Sequence, residues 1–316
     1  MSNQTSFSNI TFNSNSTLSM SQICIIDGNS DIYGLGIRIG FYLQWYASNL
    51  ASAPRVSSGK VASNEAQGLM FSIILFSVAT FLALIIQTST LQLAEVYIIL
   101  LLVVGYHYYF IPKMFMSLLS FIKQLFSKGG KNKTGQKKHR SWEFIFLVGL
   151  FFCAISCFQL WFWGGHFQDH NGKSNTCPNF GFGFIRVDLE NIAFRAFNIT
   201  YWVLLLILSF GIIFHACNVY IQKRKTSKDN FSSLSSSLKS GASSTKSLKE
   251  SNSKSDSIKL GILFVFTTVM IIAIEKSIIW NQITGVTTLA GAGQLIPFLI
   301  GLGSLFRVCY VGVKGE

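Results

Sequence analysis

The stretch Tyr33–Leu50, YGLGIRIGFYLQWYASNL, decides the fold of this chain, because its reading sets the number of membrane crossings and the side on which each end emerges. It carries Arg38, Gln44 and three glycines. An Arg at the centre of a bilayer costs about 2.5–3.5 kcal/mol on insertion scales, and less near an interface. The stretch reads either as an amphipathic helix lying on the membrane or as a span. Ile37, Ile39, Phe41, Leu43 and Trp45 leave little continuous polar face, which favours a span with Arg38 near one end.

Working outward, a hydrocarbon core of about 30 Å takes about 20 residues of helix. Six further windows meet that length: Leu69–Gln87, Leu93–Ile111, Trp142–Trp163, Tyr201–Ile221, Leu260–Trp280 and Thr287–Phe306. Backbone in lipid has to satisfy its own polar groups, so each window reads as helix. The expected fold is all-α, a multi-pass helical membrane protein of seven transmembrane helices. Gln87–Gln92 (QTSTLQ) is short enough to make spans two and three a hairpin. Pro112 ends the third span, and Met114–Phe126 reads as a short interfacial amphipathic helix.

Composition agrees. Half of the 316 residues are apolar and 12% are charged, against roughly 25% charged in soluble domains. A soluble globule is thereby excluded. The net charge of +13 is explained by position. Of the 26 basic residues, 21 fall between spans one and two, in 112–141, in 222–259 or after the last span, all on one side of the alternation. The other side has Lys173, Arg186 and Arg195. The positive-inside rule therefore puts the N-terminus outside and the C-terminus in the cytoplasm, and a nucleic-acid partner is not expected. Lys128–Arg140 holds six basic residues, so anionic inner-leaflet lipid is an expected secondary contact. The membrane is expected to be the plasma membrane or another membrane of the secretory pathway.

Four regions follow. Residues 1–32 have no Lys or Arg, are rich in Ser, Thr and Asn, and read as a disordered external tail. Residues 33–221 hold spans one to five, with the basic loop 112–141 inside and the loop 165–198 outside. Residues 222–258, with 14 serines and eight basic residues, read as a disordered cytoplasmic loop. Residues 259–316 hold the last two spans. Within the external loop, Phe180–Phe197 is expected to form a short helix on the outer membrane face. N-glycosylation is expected at Asn3, Asn9 and Asn15, with Asn198 as a fourth sequon close to span five. Cys24 and Cys177 are the two external cysteines and are candidates for a disulfide. Cys153, Cys157, Cys217 and Cys309 are expected to pack as small apolar groups.

The charges left inside the spans point to a site. Arg38, Glu95, Glu275 and Lys276 fall at similar depths in the outer leaflet, where an unpaired charge is expensive. They are expected to form a polar cluster in which Arg38 pairs with Glu275 or Glu95. The cluster is either a structural ion pair or the wall of an outward-facing cavity. In span seven, Gly293, Gln294 and Pro297 mark close packing and a kink, with Gln294 needing a partner inside the bundle. The external HFQDH run, His166–His170, reads as a solvated loop, and no metal site or cofactor is expected. No nucleophile–base pair or phosphate-binding loop can be assembled, so an enzyme is not expected.

Three segments, Asp31–Trp45 (DIYGLGIRIGFYLQW), Ile274–Val286 (IEKSIIWNQITGV) and Gly293–Gly301 (GQLIPFLIG), resemble an uncharacterised family of fungal multi-pass membrane proteins. The resemblance covers the first span and the last two, about a fifth of the chain. It implies a helical membrane protein with these segments close together, and it carries over no catalytic residues. Rhodopsin-like receptors share the seven-span plan, but His107-Tyr108-Tyr109 stands where they have Asp-Arg-Tyr, and Leu295–Leu299 lacks their Asn-Pro-x-x-Tyr. Three functional readings remain: a receptor-like or regulatory protein with an unknown ligand or cytoplasmic partner, a transporter or channel for a small polar solute or ion, and a structural membrane component.

Overall fold

The structure is a computed structural model and describes residues 25–52, 60–105, 142–166, 179–182, 185–233, 253–289 and 291–314. It is mostly helical. Strand β1 (Ile26–Asp27) and the one-turn α1 (Ser30–Tyr33) lead into α2 (Leu35–Ala51). Next come α3 (Lys60–Gln87) and α4 (Leu93–Gly105), then α5 (Trp142–Trp161), which ends in a π-helical turn, Phe162–His166. Strands β2 (Phe180–Phe182) and β3 (Arg186–Asp188) precede α6 (Ile192–Ser233). The order closes with α7 (Ser253–Trp280), β4 (Ile283–Thr284) and α8 (Ala292–Lys314).

Among the described residues five stretches are long and apolar enough to cross a membrane: Gln67–Gln87, Phe146–Gly165, Ile192–Asn218, Leu260–Trp280 and Ala292–Lys314. Their outward faces carry large apolar side chains, such as Phe71 and Leu75 on α3, Ile207 and Phe210 on α6, and Ile262 and Val265 on α7. That is a surface suited to lipid rather than water. The two shorter helices are the inner ones. All but one residue of α4 is buried, and α2 packs against α3, α7 and α8. Hence α2 lies inside the bundle rather than flat on a surface. Protein neighbours, not lipid, surround its Arg38, Gln44, Ser48 and Asn49.

The α2–α8 crossing is set by glycine. A Cβ on Gly40 would stand 2.5 Å from the Pro297 carbonyl oxygen, and one on Gly301 would stand 2.6 Å from that of Gly40. Gly36 and Gly40, one turn apart, form the small-xxx-small edge that lets two backbones touch. Gly293 does not take part, because a Cβ there would meet open space. Elsewhere aromatic pairs lock neighbouring helices: Phe41 on Phe76 with ring centroids 4.4 Å apart, Phe81 edge-on to Phe158 at 5.5 Å, and Trp163 against Phe194 at 6.0 Å.

Several boundaries differ from the sequence expectation. Phe180–Phe197 is not one helix. Phe180–Phe182 pairs antiparallel with Arg186–Asp188, and α6 starts only at Ile192, where the Asn191 side chain accepts the Ala193 N–H and caps it. Helix α6 then runs to Ser233 and α7 begins at Ser253, so both enter 222–258, which composition alone assigned to a disordered loop. The 42 residues of α6 reach about 60 Å, twice a hydrocarbon core, so polar sequence continues a helix that apolar sequence nucleates. Helix α8 begins at Ala292 rather than Thr287. Gly285 there takes a φ of +78°, and the β-branched Val286, Thr287 and Thr288 are weak helix formers. Cys157, Cys217 and Cys309 are exposed on helix surfaces rather than buried. The basic loop 112–141 lies outside the described residues.

Candidate functional site

One end of the bundle carries a polar cap. Asn29 caps α1, its side-chain oxygen accepting the Asp31 N–H at 3.0 Å. Its amide Nδ2 donates to Gln87 Oε1 at 2.6 Å, tying the segment to the end of α3. Glu95, the third residue of α4, reaches back to accept the Gln92 N–H at 2.8 Å, which is half of a capping box. The same carboxylate accepts the Asn29 N–H at 3.1 Å and the Tyr33 hydroxyl at 2.7 Å. A buried anion with three donors at a helix N-terminus needs no counter-cation.

Arg38 turns the other way. Its Nε stands 3.0 Å from Glu275 Oε1, and its Nη1 donates to the Tyr33 carbonyl at 3.1 Å. Tyr42 donates to the same Glu275 oxygen at 2.8 Å. The expected pairing therefore forms with Glu275 and not with Glu95. Lys276 points away and is exposed, so it is not part of the cluster. From Arg38 the polar contact continues along α2 and α7: Tyr46 and Thr268 share a hydrogen bond at 2.9 Å, and Asn49 Nδ2 donates to Thr267 Oγ1 at 2.8 Å. Four residues of α2, spread over the eleven steps from Arg38 to Asn49 and about 16 Å of helix, thus carry a hydrogen-bonded seam against α7.

Over this end lie three chain segments. β1 pairs parallel with β4, and Gly28 N–H continues the ladder to the Thr284 carbonyl at 2.9 Å. Gly28 has no room for a side chain, since a Cβ there would lie 2.6 Å from the Tyr33 hydroxyl. Asn281 treats Phe180 as a strand partner, accepting its N–H and donating to its carbonyl, both at 2.7 Å. Arg195 donates from Nε to the Trp163 carbonyl at 2.7 Å and from Nη2 to that of Gly164 at 3.0 Å, placing a cation at the C-terminus of α5.

The other expected residues are distributed. Gln294 is buried, and its Oε1 accepts the Gly36 N–H at 3.4 Å, which gives it the bundle partner its polarity demanded. Pro297 sits buried at the Gly40 crossing. Asn198 lies within α6, its amide donating to the Phe194 carbonyl at 2.9 Å. Asn3, Asn9, Asn15, Cys24 and Cys177 lie outside the described residues, as do Asp169 and His170. Among the described residues no three metal-ligating side chains gather.

Arg38 and Glu95 are both closed in, with Glu275 alone reaching the rim. Sequence reasoning did not single out Asn29, Tyr33, Tyr42, Gln87 or Asn281. A Tyr or Asn carries no charge to raise an alarm, although a buried carboxylate implies donors somewhere near it. Gln44, noted in the sequence only as a polar residue of the stretch Tyr33–Leu50, is fully buried with both amide atoms unpartnered among the described residues. No known protein family, characterised protein or solved structure matches the chain.

Proposed function

We propose that this chain is a seven-span integral membrane protein, N-terminus outside and C-terminus cytoplasmic, with a receptor-like or regulatory role and no catalytic one. Spans one and three are then the inner helices α2 and α4, and the capped end faces outward. The basic loops face the cytoplasm, in the plasma membrane or another secretory membrane, where anionic lipid or a cytoplasmic partner meets them. The close packing of Asp31–Trp45, the end of α7 and Gly293–Gly301 is what the resemblance to the fungal membrane family implies.

The observation that carries the regulatory reading is continuity. The β2–β3 hairpin is clasped by Asn281, and four residues beyond β3 the chain enters α6, an uninterrupted helix of 42 residues. A change at the cap is thereby delivered along one rigid element to the opposite end. Spin labels at the exposed Ile221 and Ile258 test this. Asn281→Ala, which releases the hairpin, shifts the distance distribution between them, and an unchanged distribution overturns the coupling.

The transporter reading draws on Gln44, whose buried amide on α2 has unspent hydrogen-bonding capacity among the described residues. Purified protein in liposomes separates the two. The regulatory reading requires ion and polar-solute flux no higher than in protein-free vesicles, and a Gln44-dependent flux would favour the transporter.

A further inference from the structure

Away from the cap network, a partly open cleft lies among the ends of α4, α5 and α6. It is lined by Tyr97, Leu100, Leu101, Gln159, Trp163, Asn198 and Trp202 and has a volume of ≈ 20 Å³. About 10–15 Å³ suffices for one water, so the space takes a single hydroxyl-sized group and not a whole drug-sized molecule.

Its polar lining is fixed in orientation. Trp163 Nε1 can only donate, and it donates to Gln159 Oε1 at 2.8 Å. The Phe194 carbonyl can only accept, and it takes Asn198 Nδ2 at 2.9 Å. This leaves Gln159 Nε2 as a donor and Asn198 Oδ1 as an acceptor with no protein partner among the described residues, and the two are not bonded to each other. Gln159 is 4% exposed, so its spare donor sits in a nearly closed site. A hydroxyl satisfies both at once, since it accepts from one amide and donates to the other. Among the described residues no charged side chain lines the cleft, and the neighbouring Arg195 is engaged with the Trp163 and Gly164 carbonyls, so these residues offer a phosphate or carboxylate head no counter-charge.

The surroundings are those of a membrane interface. Tyr97 lies in the second turn of α4 and Trp163 in the π-turn that closes α5, both near the ends of apolar helices, where amphipathic aromatic rings collect. Three aromatic side chains and two leucines make the rest of the wall, suited to a flat apolar body. We propose that this cleft binds the 3-hydroxyl of a membrane sterol, with Gln159 donating to it and Asn198 accepting from it, while the ring system lies against the aromatic wall and extends into lipid.

The test uses the full chain in phosphatidylcholine vesicles containing trace cholesterol with a photoactivatable diazirine in its ring system, with labelled peptides mapped by mass spectrometry. Labelling concentrates on peptides containing Tyr97–Leu101, Gln159–Trp163 and Asn198–Trp202, and excess cholesterol reduces it at least fivefold. Cholesterol 3-methyl ether, which cannot donate, competes at least fivefold less well. That comparison uses the unaltered chain and decides the matter even where a variant misfolds. Gln159→Met and Asn198→Leu each reduce labelling about fivefold, the effect of one lost hydrogen bond. Equal competition by the methyl ether, or labelling spread evenly over the lipid-facing helices, overturns the proposal and leaves the cleft to an ordered water only.

Discussion

Arg38 and Glu275 form an ion pair of unequal exposure: the guanidinium is 1% exposed and the carboxylate 37%. The cation is sealed in the bundle while its partner stands at the rim. Removing the anion therefore strands a buried charge, whereas removing the cation leaves a carboxylate that keeps Tyr42 and can hydrate. Glu275→Gln should cost about 2–3 kcal/mol, below the 3–5 of a fully buried pair. Arg38→Met, which preserves volume, should cost about 1 kcal/mol or less, and the double variant should recover much of the Glu275→Gln loss. Denaturant unfolding in detergent measures all three, and equal, additive losses in the two single variants would contradict the pairing.

The α2–α8 crossing supplies its own control. Gly40→Ala and Gly301→Ala place a methyl against backbone that has no flexible end to move aside. Each should destabilise by about 1–3 kcal/mol. Gly293→Ala meets open space and should be neutral or stabilising by up to about 1 kcal/mol. Thermal aggregation in detergent ranks the three, and an equal loss at all of them would sink the close-contact account.

Glu95 organises the segment that covers the bundle. Tyr33→Phe removes one of its three donors and should cost about 1.5–3 kcal/mol of local stability, the range for hydrogen bonds to charged groups. Hydrogen exchange read at Asn29–Tyr33 should accelerate while exchange within α5 stays unchanged. Uniform acceleration would mean that the whole bundle, and not the cap, depends on this contact.

How legible this site was depended on what each residue advertises. Arg38 and Glu275 declared themselves because charge inside an apolar run is costly, and the same argument found Gln294. Charge alone misassigned Lys276, since a long side chain near a helix end can place its ammonium outside the protein. The choice between Glu95 and Glu275 was beyond the sequence as well, because each sits at a suitable depth and only the packing of α2 on α7 selects one. Gly293 looked suited to close packing, yet the contact is made by Gly36 and Gly40, which the sequence showed only as glycines within an apolar stretch. Which small residue touches a neighbour is a property of the crossing, not of the helix that carries it.

Asn198 should remain unmodified even though it begins a sequon. Its amide nitrogen, the atom a glycan would occupy, is hydrogen-bonded within α6. Enzymatic deglycosylation should shift the protein's mobility. Asn3→Gln, Asn9→Gln and Asn15→Gln together should abolish that shift, and Asn198→Gln should leave it unaltered. A shift that survives the triple change would place glycan elsewhere.

Ile26 and Phe180 are both anchored on the stretch Asn281–Thr284, one through β4 and the other through the Asn281 side chain. Cys24 is two residues from the first anchor and Cys177 three from the second, chain reaches of about 7 and 10 Å. The two thiols should therefore be joined in protein from an oxidising compartment. Non-reducing peptide mapping should recover one Cys24–Cys177 cross-linked species, and two free thiols would dispose of the bridge.

The pairing of Ile26 with Ile283 also has a consequence in time. The ribosome makes one strand nearly 260 residues before its partner. At 5–20 residues per second, β1 waits on the order of 13–50 s before β4 exists. Through that interval the segment from Ile26 to Gly28 cannot complete its ladder, although the Asn29, Gln87 and Glu95 contacts at the ends of α3 and α4 need no residue beyond 95. Closure of the β1–β4 ladder is thus a report that synthesis has passed residue 284, and any truncation before residue 283 should leave β1 without its partner.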